Sequence, residues 1–366
     1  MQHNNHKIRI IQIIDSLEAG GAERMAVSYA NALFHTIEFS GLVVSRKEGP
    51  LLMQVDEGVS YLFLNRNKAV DLKALYMLRN YVKQHKVTIV HAHSTSFFLA
   101  FLLKLVHPSI QLIWHDHYGD SEFLSKRPLG ALKITLPFFS GIIAVNKKLK
   151  VWAEQKMNFK NTVYLPNFPS EGNNRTVLTV LKGIEGKQIV CLANLRVQKD
   201  HFLLLKVARK LKISHPEWTF HLVGKDFNDV YSQQIKDLIV AFDLEKNVFL
   251  YGTKSDIENI LQQAAIGILT SQSEGLPVAL LEYGQLKKPV VVTDVGEISS
   301  LIINGENGFL VAPQNEHLFY EALGALIDNE FQQLEFGSLL YKKVQEHYSK
   351  KAVVAAYLNW LNNSCK

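Results

Sequence analysis

The chain has 366 residues, 47% of them hydrophobic and 20% charged, with a formal net charge of +6 and a pI of about 9.0. That length favours two domains over one, and two cysteines, Cys191 and Cys365, give neither a disulfide framework nor zinc-ligand spacing, which fits a reducing cytoplasm. The basic balance invites an anionic partner, a nucleotide or acidic lipid rather than nucleic acid, because no helix shows a continuous basic face with base-reading side chains.

Ile8-Arg-Ile-Ile-Gln-Ile-Ile14 is too short and too interrupted for a signal peptide. The longest apolar helix candidate, Phe97 to Val106, contains Lys104 and falls well short of the ~20 residues that span a bilayer. A protein that does not cross the membrane is expected. Lys7 to Asp15 reads as a buried strand, Leu17-Glu-Ala-Gly-Gly-Ala-Glu23 as a glycine loop, and Met25, Ala26, Tyr29, Ala30 and Leu33 mark one face of a helix. Gly20 and Gly21 let backbone approach a ligand closely. The G-x-G-x-x-G dinucleotide spacing is absent, which disfavours hydride transfer.

Phe39 to Ser45 and Tyr61 to Leu64 read as short strands and Val70 to His85 as an amphipathic helix. Val87-Thr-Ile-Val-His-Ala-His93 and Gln111-Leu-Ile-Trp-His-Asp-His-Tyr118 are two strands that each end in a pair of histidines. Strand residues at i and i+2 point the same way, so His91, His93, His115 and His117 could hold a metal. No cysteine or open catalytic water motif supports that reading, and no metal is expected. Asp116 is placed to orient an imidazole. Ser125-Lys-Arg-Pro128 and Lys147-Lys148-Leu-Lys150 make a basic surface. Such clusters are ordinarily solvated faces, and the sharper reading is docking on an anionic leaflet at about 1 kcal/mol per Lys or Arg. Gly141 to Val145 and Val163 to Asn167 complete the first domain, and Pro169-Ser-Glu-Gly-Asn-Asn174 is the strongest linker signal.

The second domain opens on the strand Gln188 to Leu195. Arg196 and Lys199 follow its end, and a helix runs through Leu205 and Leu211. Alone these are ordinary surface cations. At a strand end they can also stabilise a diphosphate leaving group, Arg as a fork and Lys as a point charge. Thr219 to Gly224 and Val248 to Gly252 are two more strands, each closing on glycine, and Ile257 to Ala264 is a helix. Ala265 to Thr270 is then a buried strand, leading into Ser271-Gln-Ser-Glu-Gly-Leu-Pro-Val-Ala-Leu-Leu-Glu282. Pro277 is expected to open the next helix. The amides of Gly275, Leu276, Pro277's neighbour Val278 and the helix tip form an anion site. Glu274 and Glu282 flank it. A Glu near a helix start often only complements the dipole. Two beside a phosphate cradle suit a molecule with hydroxyls on both sides of a diphosphate, a nucleotide-sugar. Helices Glu316 to Asp328 and Ala352 to Leu361 end the chain. Strands alternating with helices throughout predict parallel, doubly wound sheets.

Glu274 and Glu282, with seven residues between them and Gly275-Leu-Pro277 inside, resemble the E-x7-E motif of retaining GT-B glycosyltransferases of family 4. Pro289-Val-Val-Val-Thr-Asp-Val-Gly296 and Asn304-Gly-Glu-Asn-Gly-Phe-Leu-Val311 resemble that family's C-terminal half. The resemblance implies an α/β GT-B fold, two Rossmann-like domains facing across a cleft. It gives an acceptor-side domain 1–168, a donor-binding domain 175–345, and a terminal helix 346–366 crossing back to the first. It implies a retaining reaction that moves a sugar from a UDP- or GDP-α-sugar to a sugar or lipid-linked acceptor, without metal or other cofactor. Arg196 and Lys199 would face the diphosphate, although the usual Arg position is Asn194. Glu274 would orient sugar hydroxyls and Glu282 grip the ribose. Gly21, and with it Glu23, would lie near the phosphates, and His117, with His115 as its rival in register, would contact the transferred sugar. A nucleotide-sugar epimerase, or a non-catalytic nucleotide-sugar-binding component of a polysaccharide assembly complex, would keep the same contacts.

Overall fold

The computed structural model describes residues 8–18, 20–119, 121–169 and 178–364. The expected linker 169–174 lies outside them from residue 170 on, as does Cys365. The chain divides into two compact units, 1–170 with 350–366 and 171–349.

The first unit holds strands β1 (Arg9–Ser16), β2 (Phe39–Lys47), β3 (Ser60–Phe63), β4 (Ile89–His93), β5 (Gln111–Asp116), β6 (Gly141–Ala144) and β7 (Thr162–Tyr164). Between them run helices α1 (Gly21–Phe34), α2 (Leu72–Gln84), α3 (Phe97–Val106), α4 (Gly130–Thr135) and α5 (Lys147–Lys156). Among the described residues the sheet has the order β3-β2-β1-β4-β5-β6-β7, every neighbouring pair parallel. The near-continuous apolar run of β1 has a simple cause. Ile11 and Ile13 enter one core, with Trp114 and Leu103, while Ile14 enters another, with Ala26 and Val44. Strands covered on both faces need apolar residues at both parities.

The second unit repeats the plan with β8 (Gln188–Leu192), β9 (Thr219–Val223), β10 (Val248–Gly252), β11 (Ile266–Leu269), β12 (Val290–Thr293) and β13 (Phe309–Val311). Its helices are α6 (His201–Ser214), α7 (Val230–Ala241), α8 (Ile257–Gln263), α9 (Val278–Gln285), α10 (Ile298–Leu301), α11 (Glu316–Ile327) and α12 (Glu330–His347). The strand order is β10-β9-β8-β11-β12-β13, again parallel. The last helix, α13 (Lys350–Ser364), packs within the first unit. There the Trp360 indole donates to Asn161 Oδ1 at 3.2 Å and its ring fills the space where a side chain at Gly141 would stand.

Side-chain caps set several helix starts. Asp71, Asn146, Asp229, Asn315 and Asn329 each accept from a backbone N–H three residues on. Asp71 explains why α2 begins at Leu72 rather than Val70. Pro277 is not the first helical residue. Its ψ of 128° is extended, and its carbonyl accepts from Leu280 N at 3.1 Å, so it stands as the cap with Val278 first in the helix.

Each sheet reverses its winding once, between β1 and β4 in the first unit and between β8 and β11 in the second. Loops leaving the carboxyl ends of such a strand pair diverge to opposite faces and leave a crevice where open α/β sheets bind ligands.

Candidate active site

In the second unit the crevice lies between the loop after β8, carrying Arg196 to Asp200, and the loop after β11, carrying Ser271 to Pro277. The two strands pair only through Ile266 with Ile189 and Gly267 with Val190. Beyond that, Tyr283 of α9 wedges between them. Its hydroxyl accepts from Leu192 N at 2.7 Å, a ladder donor that β11 no longer serves, and a Cβ at Gly267 would stand 2.7 Å from its ring. The glycine and the tyrosine together splay the strands and open the crevice. Nothing in the spacing of the sequence marks this wedge.

The two loops are laced together above it. Thr270 Oγ1 donates to Lys199 O at 2.9 Å, and Gln272 N to Gln198 O at 2.8 Å. Gln272 Nε2 donates to Asp200 Oδ2 at 3.0 Å, and Asp200 Oδ1 accepts from Leu203 N, capping α6. The Lys199 ammonium is ion-paired with Glu274 Oε1, which also accepts from Ser271 Oγ at 2.7 Å. Lys199 is thus held at the crevice by the carboxylate that sequence reasoning assigned to sugar hydroxyls. The third loop, after β12, joins them. Glu297 N donates to Gly275 O at 3.1 Å, and Gly296, at φ +62°, passes so close that a Cβ there would lie 2.1 Å from Glu274 O. Glu282 is buried on α9, and Glu297 adds a buried carboxylate beyond Asp200, Glu274 and Glu282, one that the sequence reading left out.

Glu274, Gly275, Leu276, Pro277, Val278 and Glu282 therefore stand on one loop and helix start, with Lys199 against them. Arg196 does not join Lys199 in that pairing. It is exposed, and its guanidinium lies over the Phe227 ring at 4.6 Å, which Lys225 also approaches at 5.0 Å. Asn194, at the expected Arg position, accepts from Lys225 N at 2.7 Å and ties the ends of β8 and β9 together.

In the first unit Gly21 is exposed as the first residue of α1, with open space where a Cβ would project. The crowded glycine is Gly20, whose missing Cβ would meet the Glu23 carboxylate at 2.1 Å. Asp15, at the end of β1, gathers the neighbouring loops. Its Oδ1 accepts from Ser45 Oγ at 2.5 Å and Arg66 Nη2 at 3.0 Å, and its Oδ2 from Thr95 Oγ1 at 2.7 Å.

The four histidines lie together beside it. His91 Nε2 and His115 Nδ1 are 3.1 Å apart, and His93 Nδ1 and His117 Nε2 3.0 Å. Tyr357 OH meets His91 Nδ1 at 3.2 Å, and Gln12 Oε1 meets His93 Nε2 at 2.8 Å. His91, His93 and His115 bring one ring nitrogen each within 4.8 Å of one another, near enough for a metal ion. Four of the ring nitrogens pair in two nearly coplanar chains stacked face to face, with His91 over His93 at 4.4 Å, while His115 Nε2 is buried without a hydrogen-bond partner among the described residues. Burial holds all four rings neutral, with His117 pushed down to about 3 and the other three well below their ordinary value. His115 is fully buried, whereas His117 reaches the surface at the carboxyl end of β5. Of the two rivals in register, His117 is the one a ligand can touch.

Two expectations are corrected. Among the described residues Asp116 orients no imidazole. It takes a two-pronged grip from Arg127, Nη1 to Oδ2 at 2.6 Å and Nη2 to Oδ1 at 2.7 Å, the geometry a planar fork makes with a carboxylate. Arg127 in turn leaves the basic surface. It is buried against the rings of Tyr118 and Trp152, each 4.3 Å from its Cζ, because the Asp116 charge compensates it there.

Residues 181–347 match the family model "Glycosyl transferases group 1", and residues 19–168 match "Glycosyltransferase Family 4". The chain is similar to an uncharacterized glycosyltransferase of Haemophilus influenzae, 27% identical over 85% of this chain and 88% of that one. It is similar also to the UDP-Gal:alpha-D-GlcNAc-diphosphoundecaprenol alpha-1,3-galactosyltransferase of Escherichia coli, 24% identical over 90% of this chain and 89% of that one. Among solved structures, HepE of Anabaena in complex with UDP-glucose superposes with a TM-score of 0.79 at 15% identity, covering 97% of this chain and 100% of that one. Two Rossmann-like units with these parallel sheets make the GT-B architecture of glycosyltransferases. The chain belongs to family 4 of them, the group 1 glycosyl transferases.

Proposed function

We propose that this chain is a retaining glycosyltransferase that moves a hexosyl or N-acetylhexosaminyl group from a UDP- or GDP-α-sugar to an acceptor hydroxyl in polysaccharide or glycolipid synthesis. The observation that carries the reading is the pairing of Lys199 with Glu274 at the β8–β11 crevice, beside the start of α9. A cation and helix amides suit a diphosphate, and carboxylates on either side suit the hydroxyls of its two ends. In this reading Lys199 and the amides after Glu274 stabilise the departing diphosphate, joined by Arg196 when it leaves the Phe227 face. Glu274 orients sugar hydroxyls while holding Lys199, Glu282 takes the ribose, Gly21 admits the phosphates, and His117 accepts from the transferred sugar. The leaving phosphate takes the acceptor proton, so no protein base or metal is required. The E. coli relative is named for an acceptor that is a lipid diphosphate, alpha-D-GlcNAc-diphosphoundecaprenol, which supports a lipid-linked acceptor here. Proton NMR of the product made from an α-linked donor tests the stereochemistry. An α product is expected, and a β product rejects retention.

Association with an anionic leaflet at the inner face of a membrane belongs to the same proposal. No helix among the described residues is long and apolar enough to cross a bilayer. Exposed Lys126, Lys133, Lys147 and Lys148 lie in the same stretch as exposed Ile134 and Phe138. Co-sedimentation with anionic but not neutral liposomes is expected, and equal partition rejects the docking.

A further inference from the structure

The hydrogen-bond chain ending at His117 fixes more than its position. We propose that Gln12 and His93 are positioning residues that hold His117 in the tautomer protonated at Nε2, so that Nδ1 is a standing acceptor for a hydroxyl of the transferred sugar. The proposal rests on the reading of His117 as the histidine that meets that sugar.

The proton positions are fixed from the core outward. The Gln12 amide oxygen faces His93, and an oxygen accepts and cannot donate, so the 2.8 Å contact requires a proton on His93 Nε2, while Gln12 Nε2 is buried without a partner among the described residues. The opposite amide orientation would reverse the chain, and the NMR test below reads which one holds. A neutral imidazole carries one proton, so His93 Nδ1 offers a lone pair. Its 3.0 Å contact then requires a proton on His117 Nε2. A neutral His117 is left with an unprotonated Nδ1, which has no hydrogen-bond partner among the described residues. Both rings are neutral because burial disfavours their charged forms, and for His93 the neighbouring imidazoles add to this.

Packing keeps the chain from reorganising. The His117 ring lies against His115, tilted, with centroids 4.0 Å apart, and is hydrogen-bonded edge to edge with His93, while the Tyr29 ring closes edge-on against His91 and His115. Rotation of His93 or His117 would break the 3.0 Å contact between them.

The chemistry explains why a glutamine stands where a carboxylate would bind the same N–H more strongly. A carboxylate beside His93 would favour its doubly protonated form. His93 Nδ1 would then donate to His117, moving the His117 proton to Nδ1 and turning its outer face from acceptor to donor. A transition state that gathers positive charge on the sugar is served by a neutral acceptor and opposed by an imidazolium.

The test is long-range 1H–15N correlation NMR of the full chain with labelled histidine, paired with kinetics. His117 is expected in the Nε2–H form with an imine-like Nδ1, unchanged from pH 6 to pH 8. Gln12→Leu is expected to mix the tautomers and lower kcat about 10- to 100-fold, the range for outer partners of a functional imidazole, with a smaller change in donor KM. Gln12→Glu is expected to add an ionisation to the pH–rate profile that the parent lacks. A His117 protonated at Nδ1 in the parent protein overturns the proposal even if the variants fail to fold, as does a folded Gln12→Leu with parental kcat. His117→Ala with parental turnover removes the sugar contact itself, a failure of the underlying reading that leaves the NMR result standing apart.

Discussion

Lys199 and Glu274 neutralise each other across the β8–β11 crevice, and each constrains what the other can do. A carboxylate that holds an ammonium keeps it from collapsing onto backbone, and an ammonium held at a crevice edge is preorganised for an incoming anion. Lys199→Ala is expected to lower turnover about 100-fold, the loss seen when one preorganised donor is removed from a developing negative charge. Steady-state kinetics with a saturating donor check this. Glu274→Gln is expected to release Lys199 and raise donor KM, measured in the same assay. Tyr283 acts differently, through the protein rather than on a ligand. Tyr283→Phe leaves Leu192 N without its acceptor, and a buried unsatisfied donor costs about 1–3 kcal/mol. A urea midpoint that does not move would contradict the wedge.

The loops behave as one laced assembly because each contributes backbone as well as side chain. Gly296 is the tightest stitch. Its φ of +62° and its closeness to Glu274 O leave no room for a Cβ. Gly296→Ala is therefore expected to displace the Glu274 loop and weaken both stability and donor binding. Gly21→Ala, where space is open, is expected to leave the melting temperature intact and change only donor kinetics. Equal thermal effects of the two substitutions, measured by scanning calorimetry, would refute the distinction. These loops also show what could be read in advance. Most strands among the described residues announce themselves as short apolar runs, because strands covered on both faces must be apolar throughout, whereas β12 and β13 were marked only by the family resemblance of 289–296 and 304–311. The Glu274–Glu282 stretch stood out because a glycine-bearing loop between a buried strand and a helix carries two glutamates at the spacing of the E-x7-E motif. The Tyr283 wedge was not, since a tyrosine in an apolar helix looks like core until its hydroxyl is seen at Leu192. Nor was the burial of Arg127, because sequence proximity to lysines says nothing of a compensating Asp116 eleven residues away. The 18-residue helix α12 was passed over because its apolar residues are diluted by polar ones that give no clear stripe.

The two units are expected to differ in their response to acid. The first buries His91, His93, His115 and His117 neutral, while the second holds His201 at about 3 and His221 at about 4. In the unfolded chain each titrates near 6.5. Above that value neither state binds the proton and the stability is intact. As pH falls below it only the unfolded chain takes up protons, at a cost of up to about 1.4 kcal/mol per pH unit for each histidine, until the lowered folded values are reached. The first unit, with more such groups, is expected to lose its protection against hydrogen exchange first between pH 6.5 and pH 5, and equal loss in both units would contradict this. The donor reading belongs to the second unit and is tested most directly by isothermal titration of UDP and GDP into the parent protein and Lys199→Ala at pH 7.5. Binding of one nucleotide to the parent, weakened at least tenfold in the variant, is the expected result. Equal affinity in the two proteins, or no binding of either nucleotide to the parent, would contradict the assignment of the β8–β11 crevice to a nucleotide-sugar diphosphate.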